Sequence, residues 1–222
     1  MDQNELESQL KGVGRKRNPE ESRRRILDAG ERAFALRGFG GARLRDIAHE
    51  ASVHHALVHH YYGDKRGLLQ EVIRRGLERM AIACGAALEG ASSFEETVRA
   101  FVGALFDFCA ENRGLLRIID DAFRNSELVS FDITQEALSA LAGPVFAGVR
   151  DAIEAGQRAG VVRSDISVDS LLLLNFGAIV YRFDTAESIL TVLGLPEDNV
   201  RDMRVEREYA IQFVLSATRP PR

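Results

Sequence analysis

The chain's five histidines, His49, His54, His55, His59 and His60, fall within twelve residues of one another. An imidazole can donate to or accept from a base edge, carry a proton near neutral pH, or bind a transition metal. His55 and His59 are four apart, the spacing that places two rings on one helical face and would suit Zn²⁺ or Ni²⁺. No cysteine is nearby, and the acids Glu50 and Asp64 lie outside the segment. Three readings stay open from the residues alone: nucleic-acid contact, a metal pair, or plain surface and core roles.

Such a cluster acts only if other elements hold it. Upstream, Asn18 can cap a helix, Pro19 fits its first position, and Glu21 can close a capping box. The stripe Ile26, Ala29/Gly30, Ala33 and Phe34 runs to Gly38, which can take the left-handed stop. Two short pieces follow: Leu44, Ile47, Ala48 and Ala51, then, after a break near Ser52, Val53, Leu57, Val58 and Tyr62. Gly63-Asp64 reads as a turn, with Asp64 capping a long helix from Leu68 to Leu88. Two short helices joined by a tight turn, with a longer helix packed on both, make a helix-turn-helix.

Further along, Ser92 and Glu95 form a second capping box before Val98, Phe101, Val102, Leu105, Phe106 and Cys109. Residues 115–123 read as a shorter helix and 126–132 as a loop. A long helix runs to about Ala159, bent near Gly143-Pro144. Helices over 168–183 and 198–217 follow, with a short one ending at 193–196. No alternating strand pattern occurs, so the expected class is all-α with nine or ten helices. The expected organisation is a basic flexible arm over 1–18 and a DNA-binding head over 19–66, its helix-turn-helix at about 42–62. A larger helical domain over 67–222 completes it.

Composition narrows the function. The chain is 45% hydrophobic and 28% charged, ordinary for a globular protein. Residues 1–80 carry 16 basic against 12 acidic residues, and residues 81–222 carry 13 against 21. The overall charge of −4 therefore hides a basic front and an acidic rear. The basic run Lys11, Arg15, Lys16, Arg17, Arg23, Arg24 and Arg25 is either a solvated tail and helix face or an arm reaching phosphate or a minor groove. Cys84 and Cys109 lie in apolar helical patterns and read as buried free thiols. No signal peptide and no span of about 20 apolar residues appears, so a cytoplasmic protein without membrane contact is expected. There is no G-x-S-x-G, P-loop or H-E-x-x-H, so no enzyme is expected.

The detailed string over residues 23–69 resembles the DNA-binding domain of TetR-family transcriptional regulators. Its matching segments are Arg25-Ile26-Leu27-Asp28-Ala29 with Phe34, Gly38-Phe39, Asp46-Ile47-Ala48, Ala51-Ser52-Val53, Val58-His59-His60-Tyr61-Tyr62 and Gly63-Asp64-Lys65 with Leu68-Leu69. The resemblance implies a recognition helix over about 54–61. It places His55, Ala56 and Leu57 at base-facing positions, His54 and His60 within the same DNA-facing segment, and His59 and Tyr61 against phosphate. It also lets Arg45 reach base or phosphate and puts Lys65 on phosphate. The chain departs from the family's usual residues at Ala42 and Arg43, Ser52, His54 and His59. The first pair removes a helix cap worth about 1 kcal/mol. These departures also keep open a helical interaction module that lost DNA binding, and nothing in the residues separates repressor from activator.

For the rear domain the resemblance implies an effector cavity and a dimeric four-helix bundle. Phe101, Phe106, Phe123 and Phe176 are candidate apolar lining, with Arg117, Asp120, Asp121 and Asn175 as polar contacts. The candidate dimer face is Leu171, Leu174 and Ile179 with Met203, Ala210, Phe213 and Val214, flanked by Val180, Val200 and Ala217. The implied partners are a palindromic double-stranded operator, a second copy of the chain and a small-molecule effector.

Overall fold

A computed structural model describes residues 18–124, 131–194 and 202–221 of the chain. Among the described residues are nine helices and no strand. They are α1 (Pro19–Gly41), α2 (Leu44–Glu50), α3 (His55–Tyr62), α4 (Lys65–Leu88), α5 (Phe94–Glu111), α6 (Arg113–Arg124), α7 (Phe131–Arg158), α8 (Val168–Leu193) and α9 (Met203–Ala217). The expected all-α class holds, with a three-helix head on a larger helical body.

Local chemistry starts and stops these helices. The Asn18 side chain accepts from Glu20 N at 3.1 Å, with Pro19 next in line. Glu21 is paired with Arg24 at 2.9 Å on the exposed face, where a return to the cap was expected. Gly38 kinks α1 at φ 64 and ψ 174, where a left-handed stop was expected, and the helix runs on to Gly41. At α5 the cap falls one residue later than expected. Ser93 accepts from Glu96 N, and the Glu96 carboxylate accepts from Ser92 N and Oγ at 2.8 Å each. Those bonds hold the Glu96 carboxyl below the usual carboxylate range.

Two late boundaries also differ. α8 continues past 183 to Leu193 and stops at Gly194, φ 63. Asp184, Thr185 and Glu187 thin the apolar pattern there without being helix breakers. α9 opens at Met203 on an Asp202 cap, and the start expected at 198 lies outside the described residues. So do the arm over 1–17, most of the expected loop at 126–132, the expected helix end at Leu195-Pro196, and Val200. α7 is helical through Gly143 and Pro144.

Burial follows the spacing. Ile26 and Ala29 of α1, Ile47 of α2, Val58 of α3 and Leu68 of α4 are fully buried and form the centre of the head. Each larger aliphatic side chain so buried contributes roughly 1.5–3 kcal/mol. α4 then leaves the head and packs on α5, α6 and α7, while α5 is central to the body and touches α4, α7, α8 and α9. Gly76 permits the α4–α6 crossing, because a Cβ there would stand 2.5 Å from the Leu115 methyls. Cys84 and Cys109 are buried, and burial pushes their thiols up to about 11 and about 12. Such thiols are poor nucleophiles.

Charge also ties head to body. Arg75 donates to Asp28 and to Glu31 at 2.6 Å each, reaching from α4 back to α1. Arg79 pairs with Glu31 at 3.3 Å and donates to Asn112 at the α5–α6 corner. These partners are 33 to 48 residues apart in sequence, beyond any helical spacing rule.

Candidate nucleic-acid interface

The turn between α2 and α3 fixes how the histidines are presented. Ser52 has φ 54 and is the non-glycine residue found at positive φ among the described residues. A side chain in that region costs about 1–2 kcal/mol, so the turn keeps its shape at some strain. Val53 N donates to Ala48 O at 3.0 Å and closes the corner. At the start of α2 the cap residue Arg43 makes no side-chain bond, as its type foretold. At the start of α3, however, the His54 ring accepts from Ala56 N at 3.3 Å. An imidazole thus does the work usually given to a hydroxyl.

The α3 helix then divides cleanly. Val58 is fully buried, whereas His55, Ala56, His59 and His60 are exposed. Leu57, expected to face bases, is only half-exposed and packs on the core. The exposed face of α3 is therefore made of imidazoles and Ala56 more than of Leu57. The His55 and His59 rings meet edge to face, with centroids 4.7 Å apart. His59 Nδ1 lies 2.7 Å from Gly63 O. A carbonyl only accepts, so this contact needs a proton on Nδ1. Arg45 stands exposed in the first turn of α2, beside an Arg37–Asp46 ion pair at 3.4 Å. Among the described residues no three His, Cys, Asp or Glu side chains converge as a metal site.

Tyr61 is half-buried beneath the Arg23 guanidinium, 5.0 Å above its ring. Its neighbour Tyr62 is structural. The Tyr62 hydroxyl donates to Arg23 O at 3.1 Å and joins α3 to α1. Burial, aided by the Glu71 carboxylate, pushes that phenol up to about 12. Both tyrosines line a groove of about 650 Å³ with Glu20, Arg23, Arg24, Glu71, Arg74 and Arg75. Sequence reading named the arginines as a run but did not pair Arg23 with Tyr61, which no local pattern connects. Lys65 departs from expectation. Its ammonium is turned inward onto Phe39 O at 2.7 Å and Ala42 O at 3.0 Å, leaving less of it for a phosphate.

In the body the expected effector residues separate. Phe101 and Phe176 both meet Phe146 edge-on, at 5.9 and 5.4 Å, and form one aromatic cluster. Phe106 packs instead on Phe183 at 4.9 Å. Asn175 donates to Leu171 O within α8. Arg117 is exposed, Asp120 is paired with Arg124 at 2.6 Å, and Asp121 lies beside Gly38 of the head. α6 thus exposes Arg117 and holds Asp120 and Asp121 half-buried, the latter next to α1. The Phe123 side chain lies outside the described residues.

The expected dimer face is corrected too. Leu171, Ile179 and Val214 are 2%, 4% and 4% exposed, buried within their own protomer. Met203 and Ala210 are intermediate, while Leu174 and Phe213 are 64% and 59% exposed. The open stripe is Leu173, Leu174 and Tyr181 on α8 with Val205, Tyr209 and Phe213 on α9. Both helices are apolar on more than one side, so periodicity could not choose between core and outer face.

A helix-turn-helix head presenting one open helix face, carried on a larger helical body, defines a DNA-binding transcription regulator. Comparison with known proteins agrees. Residues 26–72 match the family described as bacterial regulatory proteins, tetR family. The chain is 30% identical over 160 residues to the HTH-type transcriptional repressor SCO4008 of Streptomyces coelicolor, covering 71% of this chain and 76% of that protein. It is 41% identical over 87 residues to the HTH-type transcriptional regulator BetI of Agrobacterium fabrum, covering 38% and 41% of the two. In fold it is similar to a TetR family transcription regulator from Marinobacter aquaeolei, with TM-score 0.69 at 21% identity over 90% of this chain and 96% of that one. A TetR-family bacterial regulatory protein from Rhodococcus gives TM-score 0.69 at 21% identity over 90% and 98%. The chain belongs to the TetR family of transcriptional regulators.

Proposed function

We propose that this regulator is a cytoplasmic homodimeric repressor that releases its operator when a small molecule enters the body. The carrying observation is the division of α3, with Val58 fully buried beneath exposed His55, Ala56, His59 and His60. That arrangement offers an imidazole-rich edge to a major groove about 12 Å wide, which admits one helix. The open stripe on α8 and α9 supports a two-fold pairing, since the same patch on two copies is self-complementary. A pair of heads would then meet half-sites about 34 Å apart, one helical turn. The repressor sign is supported by the name of the Streptomyces relative. Among the described residues no helix is long and apolar enough to cross a membrane.

An effector that shifts head spacing by a coupling of 1–3 kcal/mol lowers operator affinity roughly 5–150-fold. The test begins with duplexes enriched from a random pool by the full-length protein. Sedimentation should give two protomers per palindromic duplex. Any small molecule that loosens this complex must itself bind more weakly, by the same factor, when operator is present. Failure to enrich any sequence sinks the DNA-binding reading, and a single protomer per duplex sinks the dimer.

A further inference from the structure

We propose that Lys65 is a positioning residue: its ammonium pins the α1–α2 corner to the first turn of α4, and so sets how α3 meets DNA. This rests on the DNA-binding reading above and departs from a phosphate contact by the same side chain.

Three elements meet at the first turn of α4. The α1 helix ends at Gly41 with no basic residue in its last turn. The last carbonyls of a helix carry partial negative charge and lack intrahelical donors. Lys65 supplies the missing cation from another helix, donating to Phe39 O at 2.7 Å and to Ala42 O at 3.0 Å. Its Nζ also lies 4.4 Å from the Phe39 ring centroid, in cation–π contact. Ala42 is 1% exposed, and both ammonium contacts are part-buried. Two of three donors are engaged and one side is covered by a ring. A lysine acting as a phosphate contact would hold its head free.

The exit of α3 is fastened to the same turn. Gly63 N donates to His59 O at 2.9 Å, and His59 Nδ1 donates to Gly63 O. Asp64 accepts from Gly67 N at 2.8 Å. A Cβ at position 67 would collide with the Tyr62 carbonyl, so glycine lets these two helices close up. The α2 helix starts two residues after Ala42, at the α1–α2 corner that Lys65 holds, and α3 ends three residues before Lys65. The ammonium therefore closes a triangle whose other sides are the α2–α3 turn and the α3–α4 joint. Loosening it frees the recognition helix to tilt while every phosphate-facing cation stays in place.

The test compares wild type, Lys65→Met, Lys65→Arg and Phe39→Leu. Each binds two probes: a duplex enriched from a random pool by the wild-type protein, and a scrambled duplex of equal length. Affinities are measured across a salt series at a temperature where circular dichroism shows each variant folded. Lys65→Met should lose roughly tenfold on the enriched duplex. Its scrambled-duplex affinity should stay within about twofold, with an unchanged salt slope. Lys65→Arg should recover part of the loss. Phe39→Leu, which keeps the ammonium but removes the ring beneath it, should shift in the same direction. Equal losses on both duplexes, with a slope shallower by about one per lost contact, would instead mark a phosphate ligand and overturn the proposal. A lower melting temperature with intact enriched-duplex affinity would overturn it in favour of a purely structural role. If Lys65→Met does not fold, Phe39→Leu decides, and unchanged affinity there overturns the pin. Should wild type enrich no duplex at all, the DNA-binding reading falls and the pin falls with it.

Discussion

The head and the outer face of the body are both built from amphipathic helices, yet they answer to different information. In the head each helix is short, bounded by a cap or turn, and apolar on one side. Ile26, Ala29, Ile47, Val58 and Leu68 are fully buried and all lie in stripes that spacing names, while Leu44, Val53, Leu57 and Tyr62 of the same stripes are partly buried. On α8 and α9 apolar residues run around most of the helix. There the family resemblance placed Leu171, Ile179 and Val214 on a dimer face, and the fold buries all three. A narrow stripe has one destination, whereas a wide one needs a neighbour to choose.

The sharpest way to break this contrast is a pair of adjacent substitutions on α9. Val214→Glu places a carboxylate in the protomer core and should remove more than about 3 kcal/mol of stability, read by urea denaturation. Phe213→Glu, one residue earlier, should leave the protomer's denaturation midpoint nearly unchanged while raising the dissociation constant of self-association about a hundredfold or more, read by sedimentation equilibrium. If both variants behave alike, the assignment of inner and outer faces is wrong.

A second test probes the imidazole edge. A ring held against phosphate binds its proton more tightly than in the free protein, so forming the complex takes up protons. Operator affinity should then rise several-fold between pH 8 and pH 6. A flat profile at constant salt removes the histidines from the contact.

Smaller effects sharpen the comparison from the head's side, where local rules govern. Arg43→Ser supplies the cap that α2 lacks and should add about 1 kcal/mol of stability. Ser52→Gly relieves the positive φ and should add about 0.5–1 kcal/mol. Thermal or urea midpoints read both. A loss in either case would mean that the turn is held by contacts beyond its own backbone.

Much of the candidate interface was legible because its signals are local. The break at Ser52, the turn at Gly63-Asp64 and the string ending in Tyr62 lie within a few residues of what they control. The roles of single side chains were less legible. His54 was expected at DNA and caps α3, with no bar to reaching a groove as well. Lys65 was expected on phosphate and faces two carbonyls more than twenty residues behind it. The effector candidates Arg117, Asp120 and Asp121 rest on residue type alone, because the facing of their helix is set by its packing partners and not by local sequence.

Residue order alone determined the helical class, the helix-turn-helix and its place near the front of the chain. Backbone hydrogen bonding, capping and apolar periodicity act over a handful of neighbours, and a handful of neighbours is what a string displays. Only the tertiary structure decided which side of α8 and α9 stays open, where the Lys65 ammonium points, and that Arg75 and Arg79 lash α4 to α1. Those outcomes depend on packing and charge pairing between segments far apart in the chain, and periodicity along one helix carries no record of them.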